Sequence, residues 1–187
     1  MPRILRQLRE EHADIARLMD ILDRQLSLFA AGGRPDYDLV RRIIAYCLDY
    51  PAEVHHPKED MVYRILAERD AELANAVGDL QLDHVRLAEK TRALAEAVRE
   101  VLTEELVDRA WVYDLTDDFV HAYRRHIRRE EQQVFPAAEA VLTAADWASL
   151  ETRIGRRDDP LFGKAVARHY RGLRDEIEAL ERLATEA

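Results

Sequence analysis

The positions of apolar residues along the chain predict a protein made of helices. A stripe at helical spacing runs from about Arg3 to Ala30, and the turn-forming residues 32–35 end it. Asp36 is a suitable N-cap for a second helical segment. Pro51 and Pro57 lie inside that segment and predict a kink, because each proline removes a backbone donor and crowds the preceding turn.

Further helical segments follow, separated by residues that typically end or cap helices. In chain order these are about Ala71 to Leu102, Asp108 to about Val141, Thr143 to Ile154 and, after a break over Gly155 to Pro160, a helix to the end. The pattern predicts an all-α fold, an up-down-up-down four-helix bundle with one or two additional C-terminal helices. We expect residues 1–141 to form the bundle and residues 142–187 to form a helical extension that packs on the same domain.

Composition narrows the class of protein. A length of 187 residues fits one domain, and 48% hydrophobic with 35% charged residues is typical of a soluble helical protein. The net charge of -9 argues against nucleic acid as a partner. Cys47 is the single cysteine, which excludes an internal disulfide and a cysteine-based zinc cluster. No apolar run could span a bilayer and the start does not resemble a signal peptide, so we expect a cytoplasmic protein without a membrane partner.

Four histidines lie at mirror-image distances around the predicted turns: His12, His55, His84 and His126. The midpoints of successive pairs are Gly33-Arg34, Arg69-Asp70 and Glu105. In antiparallel helices, equal distances from a turn mean equal depth, because each residue adds the same rise. Each of the four histidines also continues the apolar stripe of its helix. The sequence therefore predicts one layer of imidazoles inside the bundle.

Two of these histidines have a glutamate four residues later on the same helix face, Glu59 after His55 and Glu130 after His126. Buried carboxylates are costly unless cations neutralise them, so the layer is a candidate metal site. Imidazole and carboxylate ligands suit iron, manganese or zinc. Six candidate ligands exceed one tetrahedral zinc and fit two metals, with both glutamates reaching across, which favours a pair of redox-active iron ions.

The residues of this layer resemble the hemerythrin-like family, the HHE cation-binding domains of bacterial type. The resemblance rests on His12, the HHPKED segment from His55, His84 and the HIRREEQQVFP segment from His126, and it covers roughly the first 140 residues. It implies a four-helix bundle around an oxo- or hydroxo-bridged di-iron centre. The four histidines would be terminal ligands, and Glu59 and Glu130 would be bridging carboxylates.

Two departures from the family's oxygen carriers bear on function. Those carriers have a further histidine one turn after the third-helix ligand, where this chain has Ala88. They also have an aspartate five residues after the fourth-helix histidine, where this chain has Glu131. A missing histidine leaves an open iron position, which favours sensing, storage or redox chemistry over oxygen transport. The expected partner is dioxygen, nitric oxide or peroxide; enzymatic turnover and a homodimer are left open.

Several further residues lie close in sequence to the predicted ligands. His56 lies about 100° around the helix from His55, so we expect it outside the ligand set unless the proline kink rotates the turn. Tyr50 and Tyr123 lie close enough in sequence to hydrogen-bond a bound ligand, although core packing explains them as well. Whether any of these residues, or Glu131, enters the site is left open.

Two other functions compete with a ligand-binding di-iron protein. In the first, the chain is a helical interaction or structural module, and its metal only stabilises the bundle. In the second, the ExxH pair of Glu53 and His56 indicates a ferritin-like di-iron oxidase, with Asp118 and His121 as the fourth-helix pair. The ferritin-like pattern fits less well, because it needs inward glutamates on the two helices that offer histidines.

Overall fold

The computed structural model describes residues 1–103, 107–155 and 158–185, and no strand occurs among them. The α-helices are α1 (Arg3–Ala30), α2 (Tyr37–Tyr50), α3 (His56–Arg69), α4 (Ala71–Val77), α5 (Leu80–Leu102), α6 (Arg109–Arg129), α7 (Phe135–Val141), α8 (Ala144–Ile154) and α9 (Arg171–Thr185). The prediction of an all-helical fold is confirmed. No helix in the described ranges is both long enough and apolar enough to cross a membrane.

Aspartate side chains begin several of these helices by accepting a backbone N–H of the first turn. Asp36, Asp70, Asp79 and Asp108 do so at α2, α4, α5 and α6. Thr143 and Asp146 form a reciprocal capping box at α8. The bounds of α1 and the cap at Asp36 are as the sequence predicts.

The long predicted segments are interrupted in two ways. A π turn over Pro51–His55 joins α2 to α3, and a second over Glu130–Val134 joins α6 to α7, so the helical path bends without ending. The segment predicted as one helix from Ala71 to Leu102 is divided, and that prediction is wrong. Gly78 ends α4 with a φ of 81°, a conformation that side chains disfavour, and α5 then starts afresh.

The helices α1, α2, α5 and α6 pack around a common interior. α1 contacts α2 and α6, while α5 contacts the same two helices from the other side. These contacts make a helical bundle, and the up-down-up-down order of its members stays a prediction. The turn predicted at Glu105 lies outside the described residues.

Two apolar clusters fill the interior on either side of a polar layer. On α1, Leu5 and Leu8 belong to one cluster, whereas Ile15 and Met19 belong to the other, and His12 lies between them. The C-terminal segments contribute to both clusters: Leu150 joins the first, while Leu161, Leu173 and Ile177 join the second. The last helix begins only at Arg171, after a turn segment and a short 3-10 helix over Arg168–Tyr170. The division at residue 141 stays a prediction.

Candidate metal centre

The structure brings the six predicted ligands together in the polar layer. The relative exposure of their side chains is 7% or less: His12 1%, His55 1%, Glu59 1%, His84 7%, His126 7% and Glu130 0%. They come from α1, α3, α5, α6 and the two π turns. The expectation that equal spacing produces equal depth therefore agrees with where these side chains lie, while their role as ligands stays a prediction.

Glu59 contacts histidines from three helical segments. Its Oε1 lies 3.0 Å from Nε2 of His12 and 3.2 Å from Nε2 of His55. Its Oε2 lies 3.5 Å from Nε2 of His84. The two oxygens of one carboxylate thus face two different groups of imidazoles, which is the arrangement that a bridging carboxylate needs.

Glu130 is placed in the same way from the opposite side of the layer. Its Oε2 lies 3.2 Å from Nε2 of His12 and 3.3 Å from Nε2 of His126, and its Oε1 lies 3.4 Å from Nε2 of His84. Both carboxylates therefore contact His12 and His84. The layer has the shape of two imidazole groups with two carboxylates between them.

His56 lies inside the layer, and the expectation that it lies outside is wrong. Its side chain is 5% exposed, its ring stacks on His84 at a centroid distance of 4.3 Å, and it meets the ring of His126 edge-on at 5.3 Å. The π turn that ends at His55 explains this, because a wider turn changes the direction of the residues that follow it. In the sequence, the kink predicted at Pro51 and Pro57 is the feature that indicates this change of direction.

The candidate ligand atoms fall into two groups that share one residue. One group contains His56, Glu59, His84 and His126, and the other contains His12, His55 and Glu59; within each group the atoms lie within 4.8 Å of one another. The first group has three histidines without any contribution from position 88. His56 therefore lies where it could supply the histidine that is missing at Ala88.

Many polar atoms of the layer are buried without a hydrogen-bond partner among the described residues. They are Nε2 of His55, His56, His84 and His126, Oε2 of Glu59 and both carboxylate oxygens of Glu130. Buried polar atoms are almost always satisfied, so such a concentration needs an explanation. Metal cations fit, because imidazole nitrogens and carboxylate oxygens are the donors that iron, manganese and zinc accept.

The electrostatics divide the histidines of the layer into two sets, one with lowered and one with raised pKa values. Burial lowers the pKa of His56, and the neighbouring charges of His84 and His126 lower it further. Burial also lowers the pKa of His126. Burial would raise the pKa of Glu59, but the charge of His55 and a hydrogen bond from His12 hold that pKa well below its ordinary value. Burial opposes protonation of His12, His55 and His84 as well, but neighbouring carboxylates raise the pKa of all three, that of His84 to about 11. Because metal ligands must be deprotonated, a cation that bound these three histidines would release protons.

Three of the histidines have a carboxylate on the ring nitrogen that faces away from the layer. Nδ1 of His55 donates to Glu11 at 2.7 Å, and Nδ1 of His84 donates to Asp60 at 2.9 Å. Nδ1 of His12 donates to Glu131 at 3.2 Å. Such outer carboxylates fix the tautomer and the ring orientation of metal-binding histidines. Glu131 therefore supports His12 from outside the layer.

The sequence did not reveal two of these outer carboxylates. Asp60 adjoins Glu59, but nothing in the spacing indicated that it would reach His84 on another helix. Glu11 adjoins His12 in sequence and yet bonds His55, and it also accepts from Lys58 Nζ at 2.7 Å and from the Tyr50 hydroxyl at 3.1 Å. Tyr50 is therefore linked to the site through Glu11.

Tyr123 borders the layer, whereas the remaining histidines lie elsewhere. The ring of Tyr123 is buried, 6.2 Å from the ring of His56 and 6.4 Å from that of His126. The side chain of His121 is 56% exposed and that of Asp118 is 50% exposed. Glu53 is exposed as well, so the ferritin-like pairing is wrong.

A helical bundle with a buried layer of histidines and glutamates defines a class of protein that could bind metal cations in its interior. Comparison with protein families gives the same result. The family model described as hemerythrin HHE cation binding domain matches residues 3–138, and the chain belongs to this family. Comparison with curated proteins and with solved structures found no match.

Proposed function

We propose that this protein is a non-heme di-iron protein that binds, or reacts with, dioxygen, nitric oxide or peroxide. The observation that carries the proposal is the pair of ligand groups that share Glu59, with Glu130 placed between the same imidazoles. One tetrahedral zinc would leave several of these donors unused. Two metal cations would use all of these donors and would neutralise both carboxylates.

The histidines divide unequally between the two metal positions. His56, His84 and His126 would hold one iron, and His12 and His55 would hold the other, with Glu59 and Glu130 bridging. The position with two histidines has one protein ligand fewer, so we assign the open coordination position to it. Iron bound there would supply the redox change and the site at which the small ligand attaches.

The chain's own residues would position the ligands and keep water out. Phe135 stacks on the ring of His12 with a centroid distance of 5.5 Å and an angle of 4° between the planes. Glu11 and Glu131 hold the two histidines of the open position by their Nδ1 atoms. The apolar clusters on both sides lower the local dielectric, which strengthens electrostatic interactions within the layer.

Anaerobic iron loading followed by metal analysis tests the proposal. We expect about two iron ions per chain and a visible spectrum that changes when dioxygen or nitric oxide is added. Fewer than one iron per chain would overturn the proposal. If zinc and iron stabilise the fold equally, and the visible spectrum does not change with dioxygen or nitric oxide, the metal only stabilises the bundle.

A pair of histidine variants tests the ligand set. His56→Ala is expected to lower the iron content or to change the spectrum, because it removes one of three imidazoles from one position. His121→Ala is the matched control, since that side chain is exposed and distant in phase from the layer. Identical iron content and spectra for the two variants would exclude His56 from the ligand set.

A further inference from the structure

A cavity with a strongly cationic wall lies beside His126, between α5 and α6. Its volume is about 350 Å³. Arg86 and Lys90 line it from α5, and Arg125 and Arg129 line it from α6. The chain as a whole has a net charge of -9, so four cations around one cavity are a local concentration and not a reflection of composition.

Two of these cations are already neutralised by other groups. Arg129 pairs with Asp83, the one carboxylate in the lining, and also donates to the carbonyl of Val77 at 2.7 Å. Lys90 pairs with Asp118. Arg86 and Arg125 make no ion pair within the described part of the chain and are exposed. Two guanidinium groups at the cavity therefore have unused capacity for an anion.

His126 differs from the other predicted histidine ligands in a way that points to the same cavity. It is 7% exposed, its Nε2 faces Glu130 at 3.3 Å, and its Nδ1 has no hydrogen-bond partner among the described residues. By contrast, Nδ1 of His12, His55 and His84 each contacts a carboxylate. Of these four histidines, the one whose Nδ1 lacks a carboxylate is the one that lines the cationic cavity.

We propose that this cavity is a binding site for a small oxyanion. The anion would bind the guanidinium groups of Arg86 and Arg125, whose planar donors match an oxyanion in pairs. It would also supply the negative partner that Nδ1 of His126 lacks, as Glu11 does for Nδ1 of His55. Through His126 the anion would influence the metal centre, and this coupling rests on the proposed di-iron function.

Inorganic phosphate is the probe for the binding step, titrated calorimetrically into the purified protein in chloride-free buffer. The double variant Arg86→Gln/Arg125→Gln removes the two unpaired cations, and Arg64→Gln/Arg153→Gln removes two exposed arginines outside the cavity lining. Both variants change the net charge equally, and circular dichroism checks that both are folded.

We expect the cavity variant to raise the dissociation constant for phosphate at least about tenfold at low salt, because two unit charges at contact distance are lost. The difference should shrink toward about twofold at 1 M salt, where screening acts over about 3 Å. The control variant should bind as the unchanged protein does. Equal affinities in all three proteins, or no saturable binding by 10 mM phosphate, would overturn the site.

The coupling is measured separately on iron-loaded protein. Phosphate is expected to shift the visible spectrum of the unchanged protein and of the control variant, but not that of the cavity variant. Binding without a spectral shift would overturn the coupling and leave the anion site in place. Failure to load iron would overturn the proposed function and the coupling together, while the phosphate titration would still decide whether the cavity binds an anion.

Discussion

Replacing Glu11 by glutamine should destabilise the protein far more than a single carboxylate usually does. Glu11 is 7% exposed and accepts from Lys58 Nζ and from Nδ1 of His55, each at 2.7 Å. Lys58 is itself 5% exposed. Glu11→Gln therefore removes the negative charge but leaves a buried ammonium group beside it, and an uncompensated buried charge is expensive.

The magnitude follows from the pKa of Glu11. The opposing effect of burial is outweighed by His55 and Lys58, which lower this pKa from 4.5 to about 2. A shift of about 2.5 units at about 1.36 kcal/mol per unit corresponds to about 3 kcal/mol of stability. Breaking a buried ion pair typically costs about 3–5 kcal/mol, which agrees. Because the folded pKa is lowered, the contribution is full above about pH 4.5 and is lost as the pH falls toward 2.

Urea unfolding followed by circular dichroism at pH 7, at matched metal content, measures this difference. Glu10→Gln is the control, since Glu10 is the exposed neighbour and its replacement should cost less than about 0.5 kcal/mol. The double variant Glu11→Gln/Lys58→Met should be more stable than Glu11→Gln alone, because it removes the unpaired cation. If Glu11→Gln lowers the free energy of unfolding no more than Glu10→Gln does, the buried ion pair does not stabilise the fold.

Three further outcomes are expected. Gly78→Ala should cost about 2 kcal/mol in urea unfolding, because φ there is 81° and an added Cβ would lie 2.7 Å from a guanidinium nitrogen of Arg129; an unchanged midpoint would contradict this. His56→Ala should bind less iron than the unchanged protein by metal analysis. Asp146→Asn should lower the melting temperature more at pH 7 than at pH 3, because Arg69 and Thr143 lower the pKa of Asp146 from its ordinary 3.8 and the stabilising charge begins to be lost below that value; equal melting differences at both pH values would contradict this.

Depth in a helical bundle could be predicted from the sequence because it depends only on counting. The rise per residue is constant, so the spacing of His12, His55, His84 and His126 around the turns was enough to place them in one layer. Helix starts could also be predicted from the sequence, because an N-cap side chain bonds a backbone N–H only two or three residues later. The cap at Asp36 is an example, with the backbone of Leu39 donating to its side chain.

Direction around a helix could not be predicted where the backbone leaves the α-helical path. A π turn changes the phase of everything after it, and no hydrophobic pattern announces one over Pro51–His55. His56 was therefore assigned to the wrong face. The break at Gly78 was missed because glycine inside a helical pattern is tolerated often enough to be ambiguous. Glu11 and Asp60 were missed because their partners lie on other segments, which only the packed structure brings close.

The position of the layer within the core explains why metal binding and folding should be linked. Leu5 and Leu8 on one side of His12 and Ile15 on the other belong to separate apolar clusters, so the polar layer interrupts what would otherwise be one core. Without cations, Glu59 and Glu130 bring two carboxylates into that interior, where burial by itself would raise the pKa of each. A metal pair neutralises this charge only in the folded state, so its binding free energy adds to the free energy of unfolding. The buried carboxylates of Glu59 and Glu130 thus lower the stability of the metal-free fold, and the same carboxylates would raise its stability when they bind metal.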